Sequence, residues 1–458
     1  MNRPDHPPDF VPPAGFTWLA ETLETHGFEA WAVGGAIRDQ FVERRHVVRD
    51  TLRPPRADWD LATNARPDDV TRIFRRTVPI GIEHGTVGVL THDAMYEVTT
   101  FRRDIETDGR HAIVAFAETI QEDLARRDFT INAVAWRPAT GELLDPFDGR
   151  SDLADGVLRA VGEPQARFAE DYLRVLRGVR FAGALRLEIE TSTREALERA
   201  VSGLERLSAE RVREELLKVL ADPLPSHALS LYAEIGALEA WYPELEDVAA
   251  EAGEWERTLR SVDLVGAHRE LLRLARWLLP LGGDGDSRVA RAEPLLTRLK
   301  LSNVDTRTIL DLLRHYQPFI GPMDSSAEVR GWLADVGRAR VRDLFRLHFA
   351  DARASAGEAD EYMSGYLVAA WHSVHHELLG NPPLSLHDLA IGGDELLALG
   401  VPKGPLIGLL LEELHAAVLE DPDLNDSARL VARARELIEP EALADDAGPG
   451  NRKPGGGS

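Results

Sequence analysis

The chain contains no cysteine. That excludes disulfides, thiolate metal sites and a cysteine nucleophile, and it suits a reducing compartment, so the expected location is the cytoplasm. No apolar run reaches the roughly 18 residues that span a bilayer, so no membrane partner is expected. Residues 1–13 are polar and proline-rich with no apolar core, which does not read as a signal peptide. Lysine is scarce, with four among 53 basic residues. Arginine dominance favours planar, two-pronged contacts to carboxylate and phosphate, although a biased genomic base composition would leave the same trace. Basic residues are also outnumbered, 53 against 77 acidic, for a formal charge of −24. Such a balance opposes non-specific binding to a phosphate backbone, but a local basic stripe can still act inside an acidic whole.

What is present is globular. Apolar residues make up 44% of 458, enough for several cores, and a prior of about 150 residues per domain suggests roughly three. Residues 1–15 read as a loose arm. From Phe16 to about Phe147, short β-rich runs mix with short helices. The strand expectations are Ala30–Val33, Trp59–Ala62, Thr86–Leu90, Met95–Phe101 and Thr130–Trp136, and Pro67–Arg76 reads as a helix opened by proline. After Ser151 the strand signals fade and apolar spacing of three and four residues takes over, as in Leu173, Leu176 and Val179. From Glu439 the chain is rich in Pro, Ala, Asp and Gly and reads as a disordered tail.

Four features carry chemistry. Gly34-Gly35-Ala36-Ile37-Arg38-Asp39 follows an apolar strand, and a strand running through two glycines into a helix presents backbone N–H groups to a phosphate. The alternative is a plain structural turn, and the ending of a P-loop is absent. In Asp58-Trp59-Asp60 the two carboxylates share a face of a strand. They repel unless a cation lies between them, and hard oxygen ligands suit Mg²⁺; solvated surface acids are the alternative. Arg126-Arg127-Asp128 stands at the mouth of a strand, where arginine suits triphosphate oxygens or orders the turn. Glu170-Asp171-Tyr172-Leu173-Arg174 is expected to open a helix continuing through Arg177 and Arg180. Asp171 and Arg174 would then lie side by side, either as an ordinary ion pair or as a donor–acceptor edge able to read a nucleobase.

In this order, with Asp145–Gly149 and Leu207-Ser208-Ala209-Glu210-Arg211-Val212 following, these motifs resemble the class II tRNA nucleotidyltransferases, the CCA-adding enzymes. That family includes bacterial poly(A) polymerases and CC-adding and A-adding enzymes, within the DNA polymerase beta superfamily. The resemblance is strong over residues 30–220 and weak beyond. It implies an α+β fold: an N-terminal nucleotidyltransferase head of the DNA polymerase beta type with a small mixed sheet, then an all-α neck, body and tail. The implied boundaries are head 16–150, neck 151–220, body 221–320, tail 321–438 and disordered end 439–458. Asp58 and Asp60 are implied as catalytic Mg²⁺ ligands, with Gly35, Arg38 and Arg127 on phosphate and sugar. Asp171 and Arg174 are implied as an amino-acid template for the base, with Arg177 and Arg180 nearby. The implied substrates are CTP, ATP and tRNA; the oligomeric state is left open.

The stretch Thr100–Ala112, with Asp108 and Arg110, resembles the flexible loop of full CCA enzymes, or is a plain polar hairpin. Poly(A) polymerase, a CC-only or A-only enzyme, and a non-catalytic RNA-binding protein on the same scaffold are the other readings. Between Gly35 and Asp58 the gap is longer than in compact members and holds Arg44, Arg45, Arg49, Arg53 and Arg56, which meet RNA phosphate or are solvated. Where some members carry a phosphohydrolase His-Asp pair, Leu274–Leu281 has none, so that activity is not expected. His372, His375 and His376 have helical metal spacing, with surface or core histidines the default.

Overall fold

A computed structural model describes residues 10–42, 59–82, 85–107, 112–317, 323, 325–355 and 358–445. The described chain divides into two units, one running to Gly283 and resuming over Ser287–Ile309, the other formed by Asp284–Asp286 and the residues from Leu310 onward.

The first unit begins with helix α1 (Ala14–Thr25) and a sheet. Its strands are β1 (Ala30–Val33), β2 (Asp60–Thr63), β3 (Thr77–Gly81), β4 (Thr86–Leu90) and β5 (Met95–Thr100), completed by β8 (Ala135–Arg137) and β9 (Glu142–Leu144). The order is β3-β4-β5-β2-β1-β8-β9, with β2 and β5 parallel and the other pairs antiparallel. Strand β1 is buried on both faces. Ala30 and Ala32 join Phe16, Leu19 and Leu23 of α1 in one core, while Trp31 and Val33 join Phe101, Ile120 and Leu124 in a second. This alternation is the period of two that a strand imposes. Between strands lie α2 (Gly35–Phe41) and α3 (Pro67–Ile73), which ends three residues earlier than expected because Phe74 turns extended at φ −105°, ψ 123°. A separate hairpin, β6 (Arg102–Thr107) with β7 (Ala112–Phe116), occupies the place of the expected loop; Asp108 and Arg110 lie outside the described residues.

One strand expectation is overturned. Thr130–Trp136 is not a single strand: Thr130–Asn132 forms a 3-10 turn and only Ala135–Arg137 joins the sheet. Polar side chains decide this. Thr130 donates to Asp152 at 2.6 Å and Asn132 donates to Asp128 at 3.0 Å, and an extended chain would pull these groups from their partners.

Helices α4 (Ile120–Ala125), α5 (Gly149–Asp155), α6 (Pro164–Glu170), α7 (Leu173–Leu185), α8 (Thr191–Ala200) and α9 (Ala209–Ala221) follow. The neck is not wholly helical: Val157–Leu158 and Glu188–Ile189 pair in parallel, a bridge too short to leave a sequence pattern. Buried Arg273 secures the end of α9, donating to the carbonyls of Leu220 at 2.6 Å, Asp222, and Pro223 at 3.1 Å.

The second unit is helical, with Ser326–Val336, Arg338–Ala354, Glu358–Leu379 and Pro405–Glu420 its main elements. Arg330 does the same service there, donating to the last carbonyls of the fourth helix at Leu419 (2.6 Å) and Glu420 (2.8 Å). The final helix runs Ser427–Asp445, past the Glu439 at which the composition changes. His372, His375 and His376 are exposed, and among the described residues no three potential ligands converge on a metal. No described helix is long and apolar enough to cross a membrane.

Candidate active site

Strand β1 ends in Val33, whose register partner is Asp60 at the start of β2. The chain then turns at Gly34 with φ 77° and ψ −144°, a region closed to side chains. A β-carbon built on Gly34 would lie 3.3 Å from an Asp60 carboxylate oxygen and 3.7 Å from Arg127 Nη1. The glycine therefore leaves room between the acid and the guanidinium. One built on Gly35 would stand 3.5 Å from Arg38 Nη2, so the two arginines border the two glycines.

Each guanidinium is tethered. Arg38 donates to Asp39 at 2.8 Å and to the side-chain oxygen of Asn132 at 3.0 Å. Arg127 donates to the Asn132 carbonyl at 3.1 Å and to the buried Asp123 at 3.2 Å. Arg177 binds Asp128 through Nε at 2.7 Å. Burial by itself raises the Asp128 carboxyl, but the Arg177 charge and hydrogen bonds from Asn132, Arg177 and the Phe129 N–H hold it well below the ordinary aspartate value. Asp128 in turn raises Arg177. Arg180 donates to Glu215 at 2.6 Å, and Lys218 donates to the other Glu215 oxygen at 2.9 Å. The guanidiniums of Arg180, Arg38 and Arg177 lie 4.2, 5.1 and 5.3 Å from the centre of the Phe181 ring, within cation–π range.

The stretch around Asp171 departs from expectation. Glu170 does not open a helix; it closes α6. Asp171 is extended at φ −155°, ψ 107°, and α7 starts at Leu173. The physical reason is that the carboxylates take separate partners. Asp171 accepts both arms of Arg211, at 3.1 and 2.6 Å, and the Leu173 N–H at 3.0 Å. Arg174 is buried and binds Glu170 at 2.5 Å, with the carbonyls of Arg167 and Arg126 each at 3.1 Å. Asp171 and Arg174 are thus neighbours, each with partners of its own.

One cavity of about 1820 Å³ gathers these groups. Gly35, Arg38, Asp60 and Arg127 line it from the head; Asp171, Arg174, Arg177 and Arg180 line it from α7 and the residues before it. Asp58 and Arg44–Arg56 lie outside the described residues.

Residues 30–159 match the family model for the poly A polymerase head domain, and residues 186–248 match that for the probable RNA and SrmB-binding site of polymerase A. A CCA-adding enzyme of Anoxybacillus flavithermus is 33% identical over 428 residues, covering 90% of this chain and 94% of the relative. The chain belongs to the CCA-adding enzyme family. A second CCA-adding enzyme, from a Geobacillus species, is 42% identical over 231 residues, which is 50% of this chain and 54% of that protein. The crystal structure of the Bacillus stearothermophilus CCA-adding enzyme in complex with CTP aligns with a TM-score of 0.74 at 28% identity, covering 95% of this chain and 100% of that one.

Within this CCA-adding fold, sequence reasoning had no role for Asn132, Asp123, Glu215, Phe181 or Arg211. Arg211 and Asp128 sat inside quoted motifs, yet nothing in the spacing pointed to their partners. Arg211 lies 40 positions from Asp171 and Asp128 lies 49 from Arg177. Glu215 stands on the apolar stripe of Val212, Leu216, Val219 and Leu220, and an acid at such a position is a signal the sequence does carry.

Proposed function

We propose that this CCA-adding family member builds the 3′-terminal CCA of tRNA from CTP and ATP, one nucleotide at a time and without a nucleic-acid template, releasing pyrophosphate. The observation that carries the reading is the single cavity in which the glycine turn, Asp60 and the flanking guanidiniums face Asp171 and Arg174. A polyphosphate needs the first set and a base edge needs the second.

Asp60 is half-buried at the cavity wall, its oxygen turned to the space that Gly34 leaves open. Hard oxygen donors of this kind fit Mg²⁺. Asp60, with Asp58 two positions before it, would hold the ion, which supplies charge for attack by the RNA 3′ hydroxyl on the α-phosphorus and for departure of pyrophosphate. Arg38 and Arg127 bind the β- and γ-phosphate oxygens. Buried Asp123 is committed to Arg127 and buried Asp128 to Arg177, so each keeps its own arginine aimed. At the base, Arg174 donates and Asp171 accepts. A carboxylate has about four acceptor sites, of which Leu173 N–H and the two arms of Arg211 take three, leaving one for an exocyclic amino group. Cytosine and adenine both pair an amino group with a ring nitrogen acceptor, whereas uracil and guanine present a carbonyl where the amino group should be.

The test is to sequence the 3′ ends made on tRNA lacking CCA, with CTP and ATP supplied singly and together, for the parent and Asp60→Ala. Two cytidines with CTP alone and a terminal adenosine only when ATP is also present is the expected result, with no extension by the folded Asp60 variant. Runs of adenosine would instead indicate a poly(A) polymerase.

A further inference from the structure

Asn132 is 6% exposed and lies on the cavity wall in the 3-10 turn. All its polar ends are used. The amide nitrogen donates to Asp128 Oδ1 at 3.0 Å, the amide oxygen accepts from Arg38 Nη1 at 3.0 Å, and the backbone carbonyl accepts from Arg127 Nη1 at 3.1 Å. The two guanidiniums that border the glycine turn therefore share this one residue. Asp128, its anchor, is gripped by Arg177 of α7.

The chemistry selects asparagine. A guanidinium can only donate and a carboxylate can only accept, so a side chain joining Arg38 to Asp128 needs an acceptor at one end and a donor at the other. The same requirement fixes the amide orientation. Aspartate would set a second carboxylate 3.0 Å from Asp128 Oδ1. Leucine has similar volume but neither function.

Resting on the reading of Arg38 and Arg127 as triphosphate contacts, we propose that Asn132 is a positioning residue for the nucleotide polyphosphate, holding both guanidiniums in register beside the glycine turn. It acts through the arginines, not on substrate. Because the polyphosphate is common to both nucleotides, its influence is blind to the base. An Arg38 side chain without this tether samples other rotamers, and binding must then order it.

The experiment compares Asn132→Leu and Asn132→Ala with Arg38→Ala and the double variants, on CCA-less tRNA. Of the two charge-assisted bonds lost, the one to Arg38 should raise the KM for CTP and for ATP by roughly tenfold, in equal proportion. The KM for tRNA and kcat should stay near the parent's. In an Arg38→Ala background the Asn132 substitution should add almost nothing, since coupled residues are not additive. The alanine variant decides the matter if leucine prevents folding. Nucleotide KM values unchanged in a folded variant, or Asn132 and Arg38 effects that multiply, overturn the proposal. So does a Tm loss with no KM split, which would mean Asn132 only stabilises the turn. If Arg38→Ala itself leaves nucleotide KM unchanged, the phosphate-site reading fails and takes this inference with it. If Arg38→Ala raises KM and Asn132→Leu does not, this inference alone fails.

Discussion

Asp171 and Arg174, expected to act as one edge, are held so differently that their variants should separate. Arg174 bridges Glu170 to the carbonyls of Arg167 and Arg126 from a buried position. Removing it strands several polar groups, at about 1–3 kcal/mol each. Arg174→Ala should therefore lower Tm as well as relax selection against UTP and GTP. Asp171→Ala leaves those groups alone and removes bonds to Arg211 and the Leu173 N–H at a half-open rim, so it should relax base choice with a smaller loss of stability. Thermal melts beside relative incorporation of the four nucleotides check both; equal stability losses would contradict the assignment. Asp128 offers a pH test. Its carboxyl is depressed when folded, so its stabilisation is fully present above the ordinary aspartate pKa of about 4 and fades as pH falls from there through the lower folded value. Asp128→Asn should be less stable than the parent at pH 7, and the gap should narrow below about pH 4 in denaturant titrations. A gap constant with pH would mean that packing, not charge, is what Asp128 supplies.

At the scale of elements, α5 shows how a motif glycine works. Asp145 accepts the Gly149 and Arg150 N–H groups at 2.8 and 3.0 Å, capping the helix where it meets the Thr130–Asn132 turn. A β-carbon on Gly149 would come within 2.1 Å of the Thr130 carbonyl oxygen. Gly149→Ala should cost about 3 kcal/mol, since backbone cannot swing aside as a side chain can. A Tm within a degree of the parent's would show that the turn yields. Much of the architecture was legible: β1, β2, β4 and β5 each announced themselves by short apolar, β-branched or aromatic runs closed by turn residues. Thr130–Trp136 misled because its apolar residues alternate plausibly while Thr130 and Asn132 must bend inward to Asp152 and Asp128. The helix expected at Glu170 misled for a related reason. Local spacing proposes Asp171 with Arg174, and Arg211 from α9 outbids it with two parallel hydrogen bonds. Pairings across forty residues leave no periodic trace, so the motifs named residues that line one cavity while the bonds among them stayed hidden.

For the whole molecule, a charge of −24 must be reconciled with a polyanionic substrate. Some of the arginine is committed inside to helix ends, as Arg273 and Arg330 show. RNA affinity then rests on the arginines left at the surface. Binding to tRNA should still weaken steeply with salt, because neutralised phosphates release counterions whatever the protein's total charge. A log–log slope near zero would exclude a basic RNA surface. The same titration on a variant with Arg49, Arg53 and Arg56 replaced by serine should give a shallower slope if that insertion meets RNA, and an unchanged one if it is solvated.

The cavity's cations are nearly all guanidinium, and that governs which reagents can harm it. Among the described residues Lys218 is the one lysine on its wall, and its amine already donates to Glu215. Acyl donors, cyanate and reducing sugars attack the neutral form of an amine, and a guanidinium stays protonated throughout the physiological range. Slow acylation of an ageing protein would thus spare the cavity's guanidiniums while marking the other lysines. Dicarbonyl compounds, which condense with arginine, are the reagents to which a guanidinium-lined wall is open.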